Sequence, residues 1–217
     1  MKFKNIIFDL DGTLTDSGPG IRNAVRHALF RFGIKEDDPV KLNRFIGPPL
    51  FDSFIRFYNI DSVEAHKGEN YFREYYRDKG IYENSLYDGI KDMLCSLCER
   101  GANLYIATSK PDFMAEIVVN HFDIKKYFKC ICGAKIEEGL YAKTDILNKL
   151  FDENPEISKS SSLMVGDREH DVFGAKSVGI SSSGVLWGYG SRKELNDAGA
   201  DFVFENPKDL CDFILQI

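Results

Sequence analysis

The chain has 217 residues, 43% hydrophobic and 29% charged, a balance that suits a globular protein and argues against disorder. Its formal net charge of −6 disfavours nonspecific nucleic-acid binding as the main activity. No apolar run approaches the roughly 18 residues that a membrane span needs, and Lys2 and Lys4 lead into too short an apolar stretch for a signal peptide. A cytoplasmic protein with neither membrane nor nucleic-acid partner is expected, as a monomer or homodimer.

The first predicted element is a strand over about Asn5–Asp9, which breaks into Asp11-Gly12-Thr13. From about Gly20 to Lys79 the pattern turns helical. Val25, Leu29 and Phe32 form one stripe, Pro49 opens a second helix carrying Leu50, Phe54, Phe57 and Tyr58, and HKGENYFREYYRDKG reads as a third. From Asp88 onward helices and strands alternate. DGIKDMLCSLCERG leads to the strand ANLYIATS, a helix over 112–121 to KCICG, a helix over 143–151 to SSLMVGD, and a helix over 172–177 to ISSSGVLW. Ser191 and Glu194 predict a capping box before a short helix and the strand DFVF, and Asn206-Pro207 opens a closing helix.

Repeated helix–strand units imply an α/β fold, a Rossmann-like parallel sheet covered on both faces. The all-helical block 17–82 is then an insertion after the first strand, leaving 1–16 and 83–217 as the main domain. The insertion holds 11 Lys/Arg against 9 Asp/Glu, a mild positive balance that suits a small anion. Five cysteines without an export signal point to free thiols. Cys95 and Cys98 sit within a helical pattern and Cys130 and Cys132 on one face of a strand, so both pairs read as buried small hydrophobes rather than zinc or redox sites.

In a doubly wound sheet, ligands bind at the carboxyl ends of the strands. Here those ends carry Asp9-Leu-Asp11-Gly-Thr13, then Thr108-Ser109-Lys110, then Gly166-Asp167 with Asp171 four residues on; Lys143 precedes that last strand. Each alone is an ordinary turn, cap or surface residue. Together they suit phosphoryl transfer. One carboxylate can attack, a second can move the proton, and the repulsion between phosphate and carboxylates calls for Mg²⁺ and a lysine. Thr108 and backbone N–H groups at the following helix start can hold phosphate oxygens.

The stretch Phe8-Asp9-Leu10-Asp11-Gly12-Thr13-Leu14 resembles the first signature of the haloacid dehalogenase superfamily. Thr108-Ser109, Lys143 and Gly166–Asp171 resemble its other three in order, so the likeness covers nearly the whole chain. The resemblance implies that Asp9 is the nucleophile and a metal ligand. It makes Asp11 the general acid/base, with its carbonyl on the metal, and has Thr108 and Ser109 bind the transferring phosphate. Lys143 would balance charge, while Asp167 and Asp171 would be metal ligands. Because Lys143 is followed by Thr144 rather than the common proline, Lys135 competes with it.

The same likeness makes the helical insertion a cap, with Arg44 and Gly47 in the stiff FIGPPL segment facing substrate, although a plain connector is an equal reading of that segment. FIGPPL and GVLWGYG are similar to the phosphoglycolate phosphatase group, which shades into 5′-nucleotidases. The expected activity is Mg²⁺-dependent hydrolysis of a small phosphorylated metabolite, phosphoglycolate or a nucleoside monophosphate, through an aspartyl-phosphate. A sugar phosphomutase of the β-phosphoglucomutase type and a catalytically silent ligand-binding protein are the alternatives.

Overall fold

The structure, a computed structural model, describes residues 1–135 and 140–216. It divides into two compact units, one formed by Met1–Thr15 with Leu86–Ile217, the other by Asp16–Ser85. The crossings fall at 15/16 and 85/86, where the two-residue strands β2 (Thr15–Asp16) and β3 (Ser85–Leu86) pair with each other. The sequence pattern puts these breaks at 16/17 and 82/83, because helical spacing marks where helices stop and cannot register a ribbon so short.

The first unit is a six-stranded sheet of β1 (Asn5–Phe8), β4 (Asn103–Pro111), β5 (Phe128–Ala134), β6 (Ser162–Gly166), β7 (Ser181–Val185) and β8 (Phe202–Phe204). The spatial order is β5-β4-β1-β6-β7-β8, and every described pairing within it is parallel. Burial on both faces explains the unbroken apolar runs: each residue of β1 and of β6 is buried. The chain reverses direction across the sheet at β1, which lies between β4 and β6; this is the switch point where a doubly wound sheet opens a crevice.

The intervening helices are α5 (Ile90–Glu99), α6 (Asp112–His121), α7 (Lys143–Glu153), α8 (Glu169–Val178), α9 (Arg192–Ala198) and α10 (Pro207–Leu215). On one face Ile146, Leu147 and Leu150 of α7 and Ala175 and Val178 of α8 pack with Ile7, Tyr105 and Met164 of the strands. Helix α8 begins at Glu169, three residues before its apolar pattern, because the Asp171 carboxylate accepts from Arg168 N at 3.2 Å and caps the first turn. The expected capping box at Ser191 is only half made. Its hydroxyl accepts from Glu194 N (3.1 Å), but the Glu194 carboxylate goes to Arg168 Nε (2.7 Å) and Glu169 N (3.1 Å).

The second unit contains α1 (Gly18–Arg31), α2 (Pro39–Asn43), α3 (Leu50–Tyr58), α4 (Ser62–Tyr75) and a π-helical turn over Tyr76–Gly80. Its core is aromatic: Phe45 meets Phe54 and Phe57 edge-on, with ring centroids 5.2 and 5.6 Å apart. Val25, Leu29 and Phe54 are buried, as their helical stripes require, whereas Leu50, Phe57 and Tyr58 are only half-buried. All five cysteines are free; Cys132 and Cys211 are buried and Cys130 is half-buried against the core, but Cys95 and Cys98 are half-exposed rather than core. No helix among the described residues is long and apolar enough to cross a membrane.

Candidate active site

Asp9 follows the last residue of β1, and its N–H still bonds to Val165 O (2.8 Å), so the central strand pins its backbone. The chain then turns sharply, with Gly12 N bonded to Thr15 O (2.8 Å) and Leu14 N to Leu10 O (2.9 Å). Leu10 and Leu14 are fully buried and anchor this turn. Gly12 has φ +88, and a Cβ there would stand 2.4 Å from Asp167 Oδ2, so both conformation and space demand glycine.

Lys143 is the first residue of α7, and its stem runs past Gly174 into the interior. Its Nζ faces three oxygens, each at 2.8 Å: Asp9 Oδ1, the Ala107 carbonyl and Asp171 Oδ1. The ammonium donates hydrogen bonds to Asp9 and to the Ala107 carbonyl, while its contact with Asp171 is an ion pair without hydrogen-bond alignment. Burial pulls the Lys143 pKa down, but Asp171 and Asp9 together outweigh that, and the amine is held protonated well above lysine's ordinary value.

One oxygen each from the buried Asp9, Asp167 and Asp171 lies within 4.8 Å of the others, a group of ligating side chains compact enough for a metal ion. Burial raises Asp9 to about 6, with Lys143 opposing and Asp171 adding to the rise. Asp167 is pushed up to about 8 by burial and then by Asp171 and Asp9, against the bond from Tyr189 N (2.8 Å). The three buried carboxylates, once all ionised, exceed the one lysine by two negative charges, and the donors are all hard oxygens. That set fits a divalent cation of the Mg²⁺ type.

Lys143 Nζ reaches Asp9 and Asp171, while the backbone of Lys135 bridges to Leu140. Thr108 is buried in β4 beside β1, and its hydroxyl accepts from Lys110 N (3.3 Å); Ser109 follows it, half-buried. At the start of α6 the Asp112 carboxylate already takes Phe113 N (2.7 Å), which leaves that N–H unavailable to an anion. Arg44 and Gly47 belong to the helical unit. Both are exposed, Gly47 with φ +103, and the Arg44 guanidinium lies 3.8 Å from the Phe57 ring centre. His170 is exposed.

Three residues to which the sequence assigns no separate role take part in the site. Lys110, which looks like a strand-end residue, is buried with Nζ 2.6 Å from Asp11 Oδ2. Thr13 Oγ1 donates to Asp167 Oδ1 (3.3 Å), and Trp187 Nε1 donates to Thr13 O (2.9 Å). The only sequence signal for them is position, at or just beyond a strand's carboxyl end.

Strand order 3-2-1-4-5-6 along the main sheet, with a buried carboxylate–lysine cluster at the switch strand, defines a doubly wound α/β enzyme with an acid centre. Residues 6–185 match the model of the haloacid dehalogenase-like hydrolases. A 5′-nucleotidase from Pseudomonas aeruginosa is 42% identical over 195 residues, covering 90% of this chain and 88% of that protein. A phosphoglycolate phosphatase from Vibrio parahaemolyticus is 29% identical, covering 97% and 96%. A crystal structure of a predicted phosphatase from Clostridium acetobutylicum superposes with a TM-score of 0.94 at 39% identity over 99% of both chains. The chain belongs to the haloacid dehalogenase-like hydrolase family, as a phosphatase.

Proposed function

We propose that the protein hydrolyses a small phosphomonoester in a Mg²⁺-dependent reaction with Asp9 as nucleophile. The observation that carries this reading is the pairing of the buried Asp9 with Lys143 at 2.8 Å beside Asp167 and Asp171. A carboxylate so placed is held by charge, kept from bulk water and fixed on the central strand. Asp9, Asp167 and Asp171 would hold the cation, along with the Asp11 carbonyl, and when bound it supplies positive charge to the phosphoryl oxygens. Because Asp171 also caps α8 and pairs with Lys143, orienting these groups is its better supported part.

In the first step an Asp9 oxygen attacks phosphorus, the bond to the leaving oxygen breaks, and Asp11 gives that oxygen its proton. In the second, water attacks the aspartyl-phosphate, Asp11 takes a proton from it, and phosphate leaves with Asp9 restored. Lys110 holds Asp11 Oδ2, which leaves Oδ1 to exchange the proton with the substrate's bridging oxygen. Thr108 and Ser109 hold the phosphoryl oxygens, and Lys143 offsets their charge against Asp9. In this reading the helical unit serves as a cap that reads the leaving group, and Arg44 and Gly47 are the residues assigned to substrate; Arg44 stacks on Phe57 within that unit.

A nucleoside 5′-monophosphate is the preferred substrate class, supported by the 42% identity to a 5′-nucleotidase; phosphoglycolate comes second. Five free thiols suit a reducing, cytoplasmic setting. The test is phosphate release from nucleoside monophosphates, phosphoglycolate and sugar phosphates, with Mg²⁺ or EDTA, for wild type and Asp9→Asn. Metal-dependent release that the variant lacks supports the reading; release that survives in Asp9→Asn removes Asp9 as nucleophile.

A further inference from the structure

We propose that Trp187 is a positioning residue for Asp167, and that the loop after β7 sets the affinity of the acid cluster for a divalent cation through it. The inference rests on the reading of Asp9, Asp167 and Asp171 as a cation site.

Asp167 is fully buried, and Lys143 pairs with the other two acids of the cluster. What reaches Asp167 is a closed ring of weaker bonds. Thr13 Oγ1 donates to Oδ1 (3.3 Å) and Tyr189 N donates to Oδ2 (2.8 Å). Two residues from Tyr189, the Trp187 indole N–H reaches back to the Thr13 carbonyl (2.9 Å), tying the loop to the very residue whose hydroxyl holds Oδ1. Each carboxylate oxygen has two lone pairs, so this ring uses one on each and leaves one on each for a cation.

The loop can lie this close only because of its glycines. A Cβ at Gly188 would stand 2.2 Å from Gly12 O and 2.5 Å from Asp167 Cβ. The backbone is therefore pressed against both the catalytic turn and the acid. The indole N–H closes a ring that would otherwise be open between residues 13 and 187. The bonds from Thr13 Oγ1 and Tyr189 N are the ones made directly to Asp167, of a kind that typically changes metal affinity by about 10- to 100-fold; the indole N–H, one step further out, acts by holding both donors in place.

A bulky ring could also serve only as packing, and the test separates that from the N–H. The chain has one tryptophan, so growth of a tryptophan auxotroph on β-(3-benzothienyl)alanine replaces Trp187 alone, with an isosteric ring that lacks the N–H. Mn²⁺ affinity is read from the EPR signal of free Mn²⁺, without substrate, for wild type, this protein and Trp187→Phe; melting in EDTA checks the fold. The expected result is a Kd about tenfold weaker in both altered proteins with melting unchanged within a few degrees. A benzothienylalanine protein that binds Mn²⁺ within twofold of wild type overturns the proposal. Wild type that binds no Mn²⁺ overturns instead the cation reading on which it rests.

Discussion

Lys110 Nζ lies 2.6 Å from Asp11 Oδ2, across 99 residues of chain, with the two side chains only 5% and 13% exposed. The other Asp11 oxygen is buried and has no hydrogen-bond partner among the described residues. The resting protein thus stores the second aspartate of the first motif on a lysine from the neighbouring strand. Removing one member of so withdrawn a pair strands the other, so Lys110→Met should lose about 3 kcal/mol in urea unfolding. Adding Asp11→Asn should recover most of that loss; a double variant no more stable than Lys110→Met would show the pair contributes little.

If Asp11 moves the proton, Asp11→Asn should cost most with leaving groups of high pKa and little with an activated aryl phosphate, since only the former need protonation. A series of aryl and alkyl phosphates measures this as the slope of log kcat/KM against leaving-group pKa. Equal losses along the series would contradict the role.

Burial raises Asp9 to about 6 and Asp167 to about 8, both from 3.8. The folded, metal-free protein therefore keeps protons that the unfolded chain has released. Their contribution to stability is complete below about pH 4 and is lost as pH rises through these two folded values. In EDTA, unfolding free energy should decline between pH 5 and pH 8.5, and saturating Mg²⁺ should flatten the decline. Binding at pH 7 should expel about one proton, read by calorimetry in buffers of different ionisation enthalpy. Binding heats independent of buffer would count against a protonated Asp167.

Lys143 and Lys135 can be compared directly. Lys143→Met leaves Asp9 and Asp171 without their common cation and should destabilise the metal-free protein by about 3–5 kcal/mol at pH 8, less at pH 5 where the acids can take up protons. Activity should fall by at least about a hundredfold. Lys135→Met should leave kcat within about twofold, because Asp9 and Asp171 already share the Lys143 ammonium.

Much here was legible before any coordinates. Three apolar residues, Ile6 to Phe8, running into Asp9, a helix–strand rhythm from Asp88 and polar strand ends sufficed for a parallel sheet with its acids at one edge, because a strand buried on both faces has a distinctive composition and ligands gather at carboxyl ends. Two aspartates bracketing Leu10 were visible as neighbours for the same reason: local spacing is written in the chain. Tertiary structure alone decided which charges meet. Lys110 on Asp11, Lys143 on Asp9 and on Asp171, and Trp187 on the Thr13 carbonyl join residues 99, 134, 28 and 174 positions apart; β1 comes to lie between β4 and β6 only once the sheet has formed. Hydrogen bonds and ion pairs depend on distances of about 3 Å, and no sequence spacing fixes those across a sheet order that folding itself sets.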